Sequence, residues 1–293
     1  ALNEYFNEIL KTEDEDYVIA SDTDSVYITF EKLIDKLNPK DPVKFLDQIC
    51  TDKIEPFIDG KYADLAKYVN AYEQKMVMKR EVIADKGIWT AKKRYILNVH
   101  NSEGVQYAEP KLKMMGIEAV KSSTPQVCRD KIKDALKVIM SGDENDLNDF
   151  IQDFRKEWMD MDAASIAFPR SCNGMKKWRD SNSVYLKGTP MHVKGALIYN
   201  HQLKVKKLSS KYPEIMDGEK IKFVHLKDPN PYQCNAFTFL TDCPKELDIN
   251  KYIDYEKQFE KSYVEPLKFI TSAINWNIDD TYGTQATLMD FFS

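Results

Sequence analysis

The spacing of apolar residues changes near residue 121, and that change restricts the fold more than any bulk property. Before it, short runs rich in β-branched and aromatic residues recur at 17–20, 26–30, 76–84, 94–99 and 105–108. Runs of this length bounded by polar turns read as strands. After it, Thr124 and Pro125 announce a helix by cap and first-turn proline, with Val127, Ile132, Leu136 and Ile139 recurring at helical spacing. Further helices are expected over about 146–160 and 252–271, with a basic loop-and-strand region at 170–207. In the first part, helices are expected at 2–11, 41–59 and 61–72, the second with Asp41 as cap and Pro42 in its first turn. Strand-rich sequence followed by helix-rich sequence implies an α+β fold with its domain boundary near 121.

With 293 residues, 43% hydrophobic and 30% charged, the chain can bury one large core or two ordinary ones. No apolar run approaches the roughly eighteen residues of a membrane span, and the polar start has no signal-peptide core, so a soluble protein without a membrane partner is expected. Cys50, Cys128, Cys172, Cys234 and Cys243 form no C-x-x-C pair, which suits free thiols in a reducing cytoplasm. The glycines are too far apart for G-x-G-x-x-G, G-x-S-x-G or a Walker A loop. His100, His192, His201 and His225 cannot form H-E-x-x-H either. Dinucleotide, P-loop, serine-hydrolase and zinc-protease chemistry thus lose their fingerprints.

The net charge of −5 conceals segregation. Residues 75–121 carry 10 basic and 5 acidic side chains, and 166–225 carry 12 and 4, whereas the remaining segments are acidic. Local positive potential of this kind suits a polyanion whatever the overall charge, although solvated lysines would give the same count.

Asp22 and Asp24 lie between two apolar runs, where residues i and i+2 of a strand or tight hairpin point to one side. Two carboxylates side by side repel, and a hard divalent cation such as Mg²⁺ relieves that repulsion. The spacing itself carries nothing, since Asp14/Asp16 and Asp160/Asp162 share it; the strand-turn-strand frame distinguishes Asp22/Asp24 from an ordinary polar turn. Lys92, Lys93, Arg94 and Tyr95 enter an apolar run, so alternation would put Lys93 and Tyr95 on one side and Lys92 and Arg94 on the other. Such a cluster suits a nucleic-acid backbone, with the phenol reaching a sugar or base edge, or else a lysine-protected strand edge.

In their order and spacing, S-D-T-D-S at 21–25 and K-K-R-Y at 92–95 resemble the family B DNA polymerases. M-K-R-E at 78–81, Y-A-E-P-K-L-K-M-M-G-I-E at 107–118 and K-S-S-T-P at 121–125 are similar to the T-even bacteriophage type in particular, and the resemblance spans essentially the whole chain. It implies that residues 1–121 are the C-terminal part of a palm with a partial antiparallel sheet, 122–284 a mostly helical thumb that grips duplex DNA, and 285–293 a clamp-binding tail. Asp22 and Asp24 would be catalytic ligands of a two-Mg²⁺ site completed by residues outside this chain, with Glu81 a further acidic position beside it. Lys92, Lys93, Arg94, Tyr95, Lys111, Lys113 and Lys121 would contact primer-template duplex. The family's first palm motif, its fingers residues for the dNTP and its exonuclease are not found here. A C-terminal portion of a nucleotidyltransferase, inactive without an N-terminal part and working in the cytoplasm of a bacterial host, is therefore expected. Ala20 and Ser21 stand where the family favours Tyr-Gly, and the loop at 85–88 reads as short.

The last residues fit Q-x-x-L-x-x-F-F, a sliding-clamp-binding box in which Leu288, Phe291 and Phe292 share a helical face and Gln285 opens the motif. Two rival readings stand beside the polymerase one: a non-catalytic DNA-binding and clamp-tethering subunit, and a metal-dependent phosphodiesterase using Asp22, Asp24 and Glu81.

Overall fold

A computed structural model of the chain describes residues 1–279, and the chain divides into two units, Ala1–Met115 and Gly116 onward. The boundary falls a few residues before 121 because Ile117 and Ala119 are buried in the second unit, where the short 3₁₀ turn Glu118–Val120 packs on the first helix. Helices and small antiparallel sheets are mixed in both units, an α+β fold.

In the first unit, α1 (Leu2–Leu10) buries Phe6 against Tyr17 and Ile54, with Leu2, Tyr5 and Leu10 packed around them. Asn3 fixes the chain that returns to α1, because its side-chain oxygen accepts from the backbone N–H of Tyr17 at 3.1 Å and of Val18 at 2.9 Å. Then follow β1 (Val18–Asp22) and β2 (Ser25–Ile28), paired antiparallel as a hairpin. A short helix not anticipated from the sequence, α2 (Glu31–Leu37), has no side-chain cap to announce it. Asp41 does cap α3 (Pro42–Ile49), accepting from the Lys44 N–H at 3.0 Å with Pro42 in the first turn. The helix runs on through a π-helical turn, Cys50–Ile54, into α4 (Glu55–Tyr68), so the two helices expected at 41–59 and 61–72 are one continuous rod.

A three-stranded antiparallel meander closes the unit: β3 (Val82–Ala91), β4 (Arg94–Ser102) and β5 (Val105–Met115). The strand expected from residue 76 begins only at Val82. Residues 79 and 80 are held by helix carboxylates instead of a strand partner. Glu55 accepts the Arg80 backbone N–H at 3.0 Å and pairs with Lys79 at 2.6 Å, and the Arg80 guanidinium bonds Asp47 and the Asn101 side chain. The loop expected at 85–88 lies inside β3. Gly87 permits this: a Cβ there would sit 2.6 Å from the Trp89 ring and 2.9 Å from Leu97.

The second unit starts with α5 (Gln126–Ser141) and α6 (Glu144–Met159). Pro125 occupies the cap position of α5 rather than its first turn, and the inner face holds Cys128, Ile132, Ala135, Leu136 and Ile139 in place of Val127. A reciprocal capping box between Asp143 and Asp146 starts α6. The chain continues through α7 (Ala163–Ile166), β6 (Phe168–Ser171), α8 (Met175–Trp178), β7 (Arg179–Asp180), β8 (Val184–Tyr185), α9 (Met191–Val205), β9 (Lys220–His225) and β10 (Ala236–Phe239). It reaches α10 (Tyr255–Phe259), a π-helical turn and α11 (Glu265–Thr271). The second unit, expected to be mostly helical, also carries a three-stranded sheet, ordered β10-β9-β6. The core is aromatic, with Phe154 4.7 Å from Tyr263 and Trp158 5.4 Å from Phe259 between ring centroids. Buried Gln258 ties helix to sheet, accepting from the His225 N–H at 3.0 Å and donating to the Ile166 carbonyl at 2.7 Å. Among the described residues no helix is long and apolar enough to cross a membrane.

Two helical glycines separate propensity from packing. A Cβ at Gly195 of α9 would lie 2.4 Å from Thr238 Oγ1 and 2.9 Å from the Thr238 backbone nitrogen on β10, whereas nothing lies within 4 Å of one at Gly60 of α4. Gly60→Ala is expected to stabilise its unit by about 0.5–1 kcal/mol through helix propensity. Gly195→Ala should destabilise by about 1–3 kcal/mol, because the clash with backbone outweighs that gain. Urea unfolding of both variants checks the pair; a stabilising Gly195→Ala would contradict the close α9–β10 crossing.

Candidate functional site

The β1–β2 hairpin closes on a two-residue turn, Thr23 and Asp24, between the paired residues Asp22 and Ser25. Thr23 adopts a left-handed backbone (φ 52°), which a β-branched residue rarely does, so local hydrogen bonds must hold it. The Thr23 hydroxyl donates to the Asp22 carboxylate at 3.1 Å, and the Ser25 hydroxyl donates to the Asp22 carbonyl at 3.1 Å. Asp22 is thus the last residue of a strand and Asp24 a turn residue. Strand alternation, which would put i and i+2 on one face, does not govern this pair; the turn does. Asp24 is exposed and Asp22 partly so.

A second hairpin tip stands beside the first. Lys92 and Lys93 are not strand residues, as expected from the sequence, but the turn between Ala91 of β3 and Arg94 of β4. Lys93 has φ 59°. Its ammonium lies 3.7 Å from the Asp22 carboxylate, which joins the two tips electrostatically. Arg94 and Tyr95 begin β4, so the expected pairing of Lys93 with Tyr95 on one strand face does not arise.

Aromatic packing lies behind the tips. Tyr27 of β2 contacts Trp89 of β3 and Tyr95 of β4, each at 5.4 Å between ring centroids, and Trp89 lies 6.4 Å from Tyr95. Tyr95, expected to reach outward to a sugar or base edge, is buried at 5% exposure. Its phenol is pushed above the ordinary tyrosine range, first by burial, then by its hydrogen bond with Tyr27, and further by the negative charges of Glu81 and Asp22. A phenol so placed stays protonated. Sequence reasoning missed Tyr27 and Trp89, although both flank the tips within a few residues and alternate with the tip residues.

Cross-strand pairing places Lys113 opposite Leu97 and Lys111 opposite Val99, so both lysines share the face of β4 that carries Tyr95. Lys111 lies over the Tyr107 ring at 4.1 Å, and Lys113 pairs with Glu81. Lys121 belongs to the second unit and pairs with Glu118 at 2.8 Å. Within that unit, Lys176, Lys177, Arg179 and Lys187 are exposed around α8 and the β7–β8 hairpin, while Lys194 lies over the Tyr185 ring at 4.8 Å. Gln285, Leu288, Phe291 and Phe292 lie outside the described residues.

Among the described residues, no three His, Cys, Asp or Glu side chains gather as a metal cage, so Asp22, Asp24 and Glu81 do not form one together. Glu81 is engaged by Lys113. The donor chemistry of the β1–β2 tip nonetheless fits a hard cation: one carboxylate at the end of the strand and one two residues on in the exposed turn are the kind of donors Mg²⁺ takes when water and phosphate oxygens complete its shell.

No protein-family model matches the chain. It is 35% identical to the DNA-directed DNA polymerase of Enterobacteria phage T4 over 91% of its own length and 31% of that protein's. It is 36% identical to the DNA-directed DNA polymerase of Escherichia phage RB69 over 99% of its length and 33% of that protein's. The chain therefore spans about a third of the curated relatives it matches. Over nearly all of its residues, it is homologous to part of the DNA-directed DNA polymerases of T-even-type phages.

Proposed function

We propose that the chain is the palm-and-thumb portion of a replicative DNA polymerase of family B, contributing two metal-binding aspartates, a grip on primer-template duplex and a tether to a sliding clamp. The observation that supports this best is the juxtaposition of the two hairpin tips, an acidic one at Asp22 and Asp24 and a basic one at Lys92 and Lys93, over one aromatic support. An anionic primer end needs both: carboxylates for the cations at the reacting oxygens, and ammonium groups for the backbone behind them.

Asp22 and Asp24 would hold part of a two-Mg²⁺ site whose other ligands come from outside this sequence. Bound there, the two cations would polarise the 3′ hydroxyl and neutralise charge on the dNTP phosphates, which is most of what phosphoryl transfer asks of an enzyme. Around that chemistry, the chain's own residues do the positioning. Tyr27, Trp89 and Tyr95 set the distance between the tips, and Lys92, Lys93 and Arg94 present positive charge to the primer backbone. Lys111 and Lys113 add charge on the face of the meander that carries Tyr95. The exposed lysines and arginine around α8 and the β7–β8 hairpin would grip duplex from the thumb, and the host cytoplasm is where such a protein would act.

In a polymerase assembled from this chain and the part that carries the first palm motif and the fingers, Asp22→Ala or Asp24→Ala should lower kcat at least about a hundredfold. The Kd for primer-template, read by fluorescence anisotropy, should change by less than about threefold, because losing a bound cation and releasing the Lys93 ammonium from its exposed pair act in opposite directions. A normal kcat in both variants would leave only a non-catalytic DNA-binding and clamp-tethering role.

The tail motif supports a sliding clamp as partner. Deleting 285–293 should shorten primer-extension products in the presence of the clamp and leave single-nucleotide insertion unchanged. Unaltered product lengths would remove the clamp from the account.

A further inference from the structure

Among the described residues, the Asp22 carboxylate meets the Thr23 hydroxyl at 3.1 Å and the Lys93 ammonium at 3.7 Å. Only the second carries charge. Lys93 belongs to a two-residue turn closed by Ala91 and Arg94, and the next cross-strand pair behind it, Trp89 and Tyr95, packs on Tyr27 two positions beyond Ser25, which brings the backbone of Lys93 close to the first tip. Both side chains of the ion pair remain in solvent, at 59% and 27% exposure, and a pair in that setting is weak and easily exchanged. A divalent cation at the same carboxylate carries twice the charge and repels the ammonium, so the two cannot share the site at full strength.

We propose that Lys93 is the resident counter-ion of Asp22 until a divalent cation displaces it, and that the displaced ammonium is then presented to the polyanion beside the tip. The inference rests on the metal reading of Asp22 above. It makes Lys93 a positioning residue that links metal occupancy to backbone binding: cation and polyanion favour each other by the same factor, as linkage requires. Without the exchange, an ammonium held at Asp22 would oppose the metal and be withheld from the DNA at once.

The test is Mn²⁺ binding by the full chain in the absence of DNA, read from the free-ion electron paramagnetic resonance signal at low ionic strength. Lys93→Met and, as a second variant that keeps a polar side chain, Lys93→Gln should each bind Mn²⁺ about three- to tenfold more tightly than the wild type. The gain should shrink at 0.5 M KCl, because an exposed charge pair is screened. Lys61→Met, which removes the same charge from α4, should stay within about twofold, and unchanged Trp fluorescence would show that the hairpins are intact. Equal affinity in wild type and both Lys93 variants, or an equal gain in Lys61→Met, overturns the proposal. Saturable binding lost in Asp22→Asn confirms the metal reading independently, whereas no saturable binding by any form overturns that reading and the counter-ion role with it.

Discussion

The packing of Tyr27 against Trp89 and Tyr95 is the contact on which the site depends. The β1–β2 hairpin and the β3–β5 meander are separate sheets with no shared ladder, so no backbone hydrogen bond sets the distance between their tips. Three large rings do so instead, at centroid separations of 5.4, 5.4 and 6.4 Å, within the range in which tilted aromatic pairs attract beyond their buried area. Leu97 and Val99 continue the cluster along β4, with Val82, Ala84 and Tyr107 packed at its border. The charged tips therefore ride on an apolar support, where burial keeps the Tyr95 phenol neutral and a hydrogen-bond partner of Tyr27.

A second constraint works from the far end of β3. Glu55 and Asp47 on the long helical rod take up Lys79 and Arg80, and Arg80 also reaches Asn101 on β4. The segment entering β3 is thus pinned to helix and sheet together. Because Arg80 is largely enclosed, at 11% side-chain exposure, its charge has to be matched where it lies; the Asp47 carboxylate does this, and the Asn101 side-chain oxygen accepts a further hydrogen bond. The rod and the meander are thus joined through Lys79 and Arg80.

Some of this was legible in the sequence, for reasons that can be named. Two short β-rich runs around D-T-D-S gave the first hairpin, and Asp41-Pro42 gave the start of α3, because turn and cap chemistry is local. The Lys92–Lys93 turn was not legible, since lysine has no preference for the left-handed backbone that Lys93 adopts and the apolar run beyond it suggested an uninterrupted strand. Met76 to Glu81 reads as strand by residue type, yet Lys79 and Arg80 within it are held by side chains of the helical rod, which no local pattern records. Helix α9 was hidden because it is buried on most sides, carries a glycine at its tightest crossing and follows Pro190 at the cap position, so it shows neither a polar face nor a side-chain cap. In the candidate site, motif and frame single out the two aspartates and the cationic cluster, while the aromatic rings between the two tips are visible only in three dimensions.

Paramagnetic broadening by Mn²⁺ in an amide NMR spectrum of the full chain tests most directly whether the two tips form one cation-and-phosphate site. Substoichiometric Mn²⁺ should first broaden amides of residues 22–25 and 92–95 together, and Asp22→Asn should abolish both effects. Broadening confined to one tip, or spread over the acidic surface at large without preference for either, would contradict a shared site.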